Sequence, residues 1–227
     1  MTKIETLLFG SIGTIVETSE LQRKAFNLAF KEFDFGWQWD SAIYKDLLAV
    51  PGGRRRIEDF ANARGTAVDA KAIHKRKTEI YNQMMLEAGV EARPGVAETI
   101  AQAREHGITL GFVTTTVPEN TDAIFKALDG QIARSDFAFV GHNGMVENGK
   151  PAPDIYLKVR EILDIDPDTC LAIEDTAPSM AAAVDAGLAC IAYPGAYADM
   201  DAFDGGTHIE RQKLSLDSLS ELLGKLR

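Results

Sequence analysis

Four short segments of this sequence place together side chains that can handle a phosphoryl group. Glu174 and Asp175 are adjacent acids behind the apolar run Cys170-Leu171-Ala172-Ile173, and two hard oxygen donors at a strand end suit Mg²⁺. Asp175 also stands where it would cap a helix starting near Ala177, a common use of aspartate that needs no metal. Lys150 supplies a compact positive charge for a phosphate or carboxylate, or else is a solvated lysine before a Pro-x-Pro helix start. Thr114-Thr115-Thr116 offers hydroxyls beside backbone N–H groups, an arrangement that can cradle phosphate, although threonine after a strand is also an ordinary turn residue. The loop Gly10-Ser11-Ile12-Gly13 can turn its backbone N–H groups toward the same anion.

The elements that must position these groups are readable from hydrophobic period and punctuation. Residues 4–9 form an apolar run that stops at the glycine loop, as a buried strand does. From 19 to 86 the pattern is helical: Leu21, Ala25, Leu28 and Ala29 share one face, Ile43, Leu47 and Leu48 another, and Ile57, Phe60 and Ala61 a third. Gly36, Pro51-Gly52-Gly53 and Gly65 punctuate it. After Arg93-Pro94-Gly95, helices over 96–105, 118–128, 153–163, 177–186 and 216–226 alternate with strands over 108–113, 137–140, 170–173 and 188–192. A turn-rich hairpin is expected over 141–149. Alternation of this kind gives βαβ units and a parallel sheet covered on both faces. The chain thus reads as an α/β, Rossmann-like core over 1–16 and 91–227 with an inserted helical cap over 17–90. Ligands of such sheets bind at the carboxyl ends of the strands, where all four segments fall.

Composition narrows the class. With 227 residues, 45% of them hydrophobic and 26% charged, the chain is an ordinary globular sequence long enough for a large core. Its 34 acids outnumber 24 bases for a net charge of −10, a field that repels nucleic acid and anionic membranes. Cys170 and Cys190 each lie in an apolar run and read as reduced core residues. No apolar run reaches membrane-spanning length, and Met1-Thr2-Lys3 leads straight into a strand without a signal segment, so a cytoplasmic setting is expected.

In this order and context the segments resemble the haloacid dehalogenase superfamily of phosphotransferases, in the branch with a helical cap after the first strand. Within it the likeness is to the β-phosphoglucomutase-like group and the CbbY-like sugar-bisphosphate phosphatases. The matching stretches are Gly-Thr-Ile-Val-Glu-Thr-Ser-Glu-Leu-Gln-Arg-Lys-Ala-Phe-Asn at 13–27, Gly-Gly-Arg-Arg-Arg-Ile at 52–57, and Val-Thr-Thr-Thr at 113–116. Lys-Pro-Ala-Pro-Asp-Ile-Tyr at 150–156 and Ala-Ile-Glu-Asp-Thr with Ala-Ala-x-x-Ala-Gly-Leu over 172–188 complete them. The resemblance implies Thr114 and Lys150 as retained catalytic-site residues and Thr115 and Glu17 as substrate contacts. It further implies Glu174 and Asp175 as Mg²⁺ ligands, and Gly52, Gly53, Arg54 and Arg56 as a substrate-binding segment of the cap. A helix N-terminus with arginines suits a second phosphate or a carboxylate. The alternative for the arginine run is a solvated face paired with the chain's own acids.

The family's reaction uses an aspartate at the end of the first strand as nucleophile and a second, two residues on, as acid and base. Those positions are Gly10 and Ile12 here, and neither side chain can form a phosphoenzyme or carry a proton. Loss of the first carboxylate also removes a metal ligand, so any Mg²⁺ site is expected to be weakened. Ser11 is expected to point away by strand alternation, and Thr14 and Glu17 to lie out of line for attack. Further drift appears at Gln22, where the family often has histidine, at Gly141-His142-Asn143 and at Ser179. Trp37 and Trp39 read as cap packing, and His74 as a surface helical residue. The expectation is a pseudophosphatase that binds a phosphorylated small molecule, a sugar phosphate by the resemblance, with no protein partner indicated. A Mg²⁺-dependent hydrolase of altered mechanism and a non-catalytic interaction module are the competing readings.

Overall fold

The protein is described here by a computed structural model covering residues 3–48, 52–203, 208–210 and 213–226. Pro51 of the glycine punctuation and Met1-Thr2 of the leader argument lie outside these residues. Along the chain the elements are β1 (Thr6–Phe9), α1 (Ser19–Glu32), α2 (Ser41–Leu48), α3 (Gly53–Asn62), α4 (Ala70–Ala88), α5 (Val96–Glu105), β2 (Thr109–Phe112) and α6 (Pro118–Ala127). They continue with β3 (Phe139–Val140), α7 (Asp154–Leu163), β4 (Cys170–Glu174), α8 (Ala177–Asp185), β5 (Ala189–Ala192) and α9 (Leu216–Leu223). The chain divides into two compact units, Met1–Glu17 with Val90–Arg227, and Thr18–Gly89.

In the first unit the five strands form one parallel sheet in the order β3-β2-β1-β4-β5, the α/β architecture expected from the alternating pattern. All four residues of β1 and all five of β4 are buried, which explains why both read as unbroken apolar runs rather than alternating ones. Leu8, Val113, Ile155, Tyr156, Val159, Ala172 and Cys190 belong to one buried cluster, and both cysteines are free thiols. Because the chain builds outward from β1 through β2 to β3 and then returns to add β4 and β5 on the other side, the order reverses between β1 and β4. That crevice is where such sheets take ligands. The register pairs Phe9 with Ile173, so Gly10 and Glu174 emerge side by side. The hairpin expected over 141–149 is instead a single 3-10 turn at Asn143–Met145 with no paired strands. Among the described residues no helix is long and apolar enough to cross a membrane.

The second unit is all helical. Its α1 buries Ala25, Phe26, Ala29 and Phe30, so the inward face is rotated by one residue from the expected Leu21–Leu28 stripe and Leu28 is exposed. Aromatic volume decides this. Phe26 and Phe30 each stand 4.7 Å from Trp39, and Trp37 lies edge-on to Phe60 at 5.3 Å, contacts that outweigh one leucine. Both tryptophans are packing residues, as read from the sequence.

Candidate active site

β1 and β4 deliver Gly10 and Glu174 to one end of the sheet, and the loop before α7 delivers Lys150. The Lys150 ammonium donates to the Val113 carbonyl at 2.8 Å and to Glu174 Oε1. Tyr156, buried on α7, donates its hydroxyl to the same Oε1. Glu174 is 1% exposed, and its charge is tolerable there because it is paired and hydrogen-bonded. Burial, with the Glu174 charge next, pushes the Tyr156 hydroxyl well above its ordinary value, so it stays a donor. Glu174 Oε2 has no donor among the described residues. It faces Gly10 so closely that a Cβ on residue 10 would lie 2.3 Å from it. The missing side chain at position 10 is therefore what allows this placement of Glu174.

Thr14 completes the surroundings of Gly10. Its hydroxyl is fully buried, has no hydrogen-bond partner, and would lie 2.6 Å from the same Cβ. On the β2 side, Thr114 Oγ1 accepts from Ser11 Oγ at 2.9 Å and from the Thr116 N–H at 3.2 Å. With both acceptor positions used, its own proton is left to donate. Thr115 is half-buried and adjoins Gly149. Ser11 does not point away as alternation required. The strand ends at Phe9, so the two-residue period no longer applies at position 11, and the hydroxyl turns onto the site threonine.

Asp175 lies over Gly13. A Cβ on Gly13 would sit 1.9 Å from Asp175 Oδ2, and Gly13 holds φ at +88°, so only glycine satisfies both demands. Burial first, and the Glu174 charge second, push the Asp175 carboxyl up to about 7 against the pull of Lys150. Arg93 secures the loop from the other side, donating to the carbonyls of Gly13, Tyr193 and Pro194 and stacking 3.6 Å over the Tyr193 ring. Glu17 Oε2 accepts from the Ala196 N–H at 2.6 Å, which ties it to the segment after β5. Ile12 is half-buried and brings no polar atom beyond its backbone.

A divalent cation is implied by the carboxylate pair. Glu174 Oε2 and Asp175 are its available side-chain donors, and among the described residues no group of three or more His, Cys, Asp or Glu is placed to hold a metal. Two carboxylates with water and ligand oxygens are a set Mg²⁺ accepts, and a cation there would offset both the burial and the Glu174 charge that raise Asp175. Such an ion would neutralise charge on a bound phosphoryl group.

In the second unit, Gly52 is the N-cap of α3 with φ +98°, and Gly53 packs so tightly on His74 that a Cβ would lie 2.6 Å from Nε2. His74 is thus half-buried rather than a surface residue. Burial, with Lys77, Arg56 and Arg54 nearby, pulls it down to about 4. Arg54 and Arg55 are exposed and pair along the helix with Glu58 at 3.2 Å and Asp59 at 3.6 Å. Arg56 is 7% exposed and donates to the Leu47 carbonyl at 2.7 Å. The structure does not bring Arg54 and Arg56 together on one face. It does bring in a residue that sequence reasoning passed over. Lys77 is 3% exposed on α4, donating to Gln22 Oε1 at 2.6 Å over the rings of Phe26 and Tyr81. The signal was present, because Lys77 falls on the apolar stripe of Ile73, Ile80 and Tyr81.

The sequence profile of the haloacid dehalogenase-like hydrolases matches residues 4–187. Protein CbbY of Cereibacter sphaeroides is 38% identical over 224 residues, covering 97% of this chain and 95% of that protein. Among solved structures, a mutant of Rhodobacter sphaeroides CbbY in complex with xylulose-(1,5)bisphosphate superposes with a TM-score of 0.83 at 38% identity, covering 91% of this chain and 93% of the other. CbbY from the same organism in complex with phosphate gives 0.83, with 96% of each chain covered.

Proposed function

The chain belongs to the haloacid dehalogenase-like hydrolase family, in its CbbY-like branch, and we propose that it binds a phosphorylated sugar without aspartyl-phosphate turnover. The observation that carries this reading is Gly10: the nucleophile position has no side chain, and Glu174 Oε2 borders the space that a side chain there would take. Ile12 supplies neither acid nor base. The parts that the resemblance assigns to phosphate are kept, namely Thr114, whose acceptor positions are filled, Thr115 and Lys150. The complexes of the CbbY relative with phosphate and with a sugar bisphosphate support this ligand class.

Glu174 and Asp175 are assigned as the weakened Mg²⁺ site, one carboxylate short of the family set. Taken on its own, the second unit carries Gly52-Gly53 at the start of α3 with the exposed Arg54 in its first turn, which we assign to a second phosphoryl group or a carboxylate. The test is calorimetric titration with xylulose 1,5-bisphosphate and a panel of sugar monophosphates. Binding to the native chain that is lost in Lys150→Ala supports the reading, and absence of binding by every phosphorylated sugar contradicts it.

A further inference from the structure

At the amino end of the parallel sheet, away from Gly10, the first unit has a groove of about 470 Å³. It runs between the last turns of α5 and α6 and the 3-10 turn Arg134–Asp136. The floor is the buried Ile132 and the half-buried ring of Phe125. Phe112 at 4.9 Å and Phe137 at 5.8 Å back that ring, which makes it a fixed flat surface. Arg104, Lys126 and Arg134 line the groove with Asp129 and Asp136, three bases to two acids in a chain of net charge −10. Arg104 and Lys126 stand in the last turns of their helices, where a cation complements the dipole, and Arg104 pairs with Asp136 at 2.7 Å. Their presence by itself therefore points to no ligand. Arg134 does. Its guanidinium carbon lies 6.0 Å from the Phe125 ring centroid, whereas Arg64 on Phe60 and Arg93 on Tyr193 close to 3.5 and 3.6 Å. Two such separations in series would span about 7 Å, so the space between Arg134 and Phe125 is close to that of a slot for one planar ring. Arg134 is tied by an ion pair to Asp122 at 3.3 Å, with side chains 54% and 59% exposed, and a pair so exposed holds it weakly.

We propose that this groove binds a nucleoside phosphate, with the base inserted between Phe125 and Arg134 and the phosphates against Lys126 and Arg104. The site is independent of the one at Gly10 and does not rest on the sugar-phosphate reading. A base in the slot stacks on the Phe125 face below and takes the guanidinium plane above, two contacts that any nucleobase can make. Lys126 is exposed beside the ring and gives an anion attached to that base a cation within reach. The groove volume is in the range of small-molecule sites. A neutral aromatic would leave the bases unused, and a sugar phosphate without a base would leave the slot empty, so the combination selects a ligand that has both parts.

The experiment is calorimetric titration of the intact chain with ADP and with adenosine, without added divalent cation. Arg134→Ala, Arg134→Lys and Lys126→Ala are titrated alongside, all three at exposed positions where folding is not at stake. The native chain should bind ADP, and Arg134→Ala should weaken it roughly 10-fold by removing one wall of the slot. Arg134→Lys keeps the charge but not the plane and should restore less than about 3-fold of that loss. Lys126→Ala should weaken ADP roughly 5-fold and adenosine by less than about 2-fold, because it meets the phosphates alone. Absence of ADP binding at millimolar concentration overturns the proposal. So does ADP binding that Arg134→Ala or Lys126→Ala leaves unchanged, since the nucleotide then sits elsewhere. Full recovery in Arg134→Lys would show attraction to charge without stacking, and equal losses of ADP and adenosine in Lys126→Ala would show no phosphate contact; either result also overturns it. None of these outcomes bears on sugar-phosphate binding at Gly10, which Lys150→Ala tests separately.

Discussion

Lys77 gives the sharpest quantitative test of how the helical unit is built. The ammonium is buried between Phe26 and Tyr81, and burial first, then the Arg56 charge, pull it from 10.5 to about 7. The unfolded chain holds this proton up to about 10.5, whereas the folded chain releases it near 7. The unfolded state therefore binds more protons throughout that window, and stability rises with pH across it. The full displacement from 10.5 to about 7 corresponds to roughly 5 kcal/mol as an upper bound. Between pH 7 and 9 the part recovered is about 2 kcal/mol. Lys77→Met keeps the chain length and removes the charge, at a cost of about 1 kcal/mol for the donor lost to Gln22. It should be roughly 2–3 kcal/mol more stable than the native chain near pH 7. Thermal unfolding at about pH 7 and 9 should show the variant melting higher, with a gap that narrows by roughly 4–8 °C at the higher pH. A gap of constant size, or a variant less stable at pH 7, would refute the claim that Lys77 is held as a destabilised cation.

Three further substitutions follow from the same geometry. Lys150→Ala strands the buried Glu174 charge and should cost about 3–5 kcal/mol in chemical denaturation as well as abolishing phosphate affinity. Ser11→Ala removes the donor to Thr114 and should weaken phosphate binding roughly 5-fold, about 1 kcal/mol, without changing the far-ultraviolet circular dichroism. Gly13→Ala meets both the φ of +88° and the Asp175 carboxylate, so the melting temperature should fall by more than that of Gly107→Ala, where φ is +71° but a Cβ meets nothing within 4 Å.

Much of the site was legible because a parallel sheet turns sequence order into position. Once 4–9 and 170–173 read as buried strands, Gly10 and Glu174 had to emerge at the same end, and Lys150 and the threonines followed from the strand–loop–helix alternation. What was missed was missed for physical reasons. Ser11 was assigned by a strand period that had already ended at Phe9. Arg56 was read as a substrate contact because nothing in its spacing reveals that the Leu47 carbonyl would accept from its guanidinium. Lys77 sat on a visible apolar stripe, yet lysine identity argued for solvent. Burial of a cation breaks local pattern rules, and such breaks gather where function requires them. The contest between Glu174 and a side chain at position 10 was not accessible from sequence at all, since it depends on a distance across two strands.

The measurement that bears most directly on the central claim compares Mg²⁺-dependent phosphate release from a sugar-phosphate panel by the native chain and by Gly10→Asp/Ile12→Asp. In the double variant the Cβ at position 10 displaces Glu174 Oε2, which would lie 2.3 Å from it, and the new carboxylate supplies the missing nucleophile and a further oxygen for the metal. The expected result is no turnover by the native chain and measurable turnover by the variant, with Lys150→Ala abolishing what the variant gains. Clear turnover by the native chain, lost on Lys150→Ala, would contradict the account and show that this chain hydrolyses phosphoesters without a side chain at position 10.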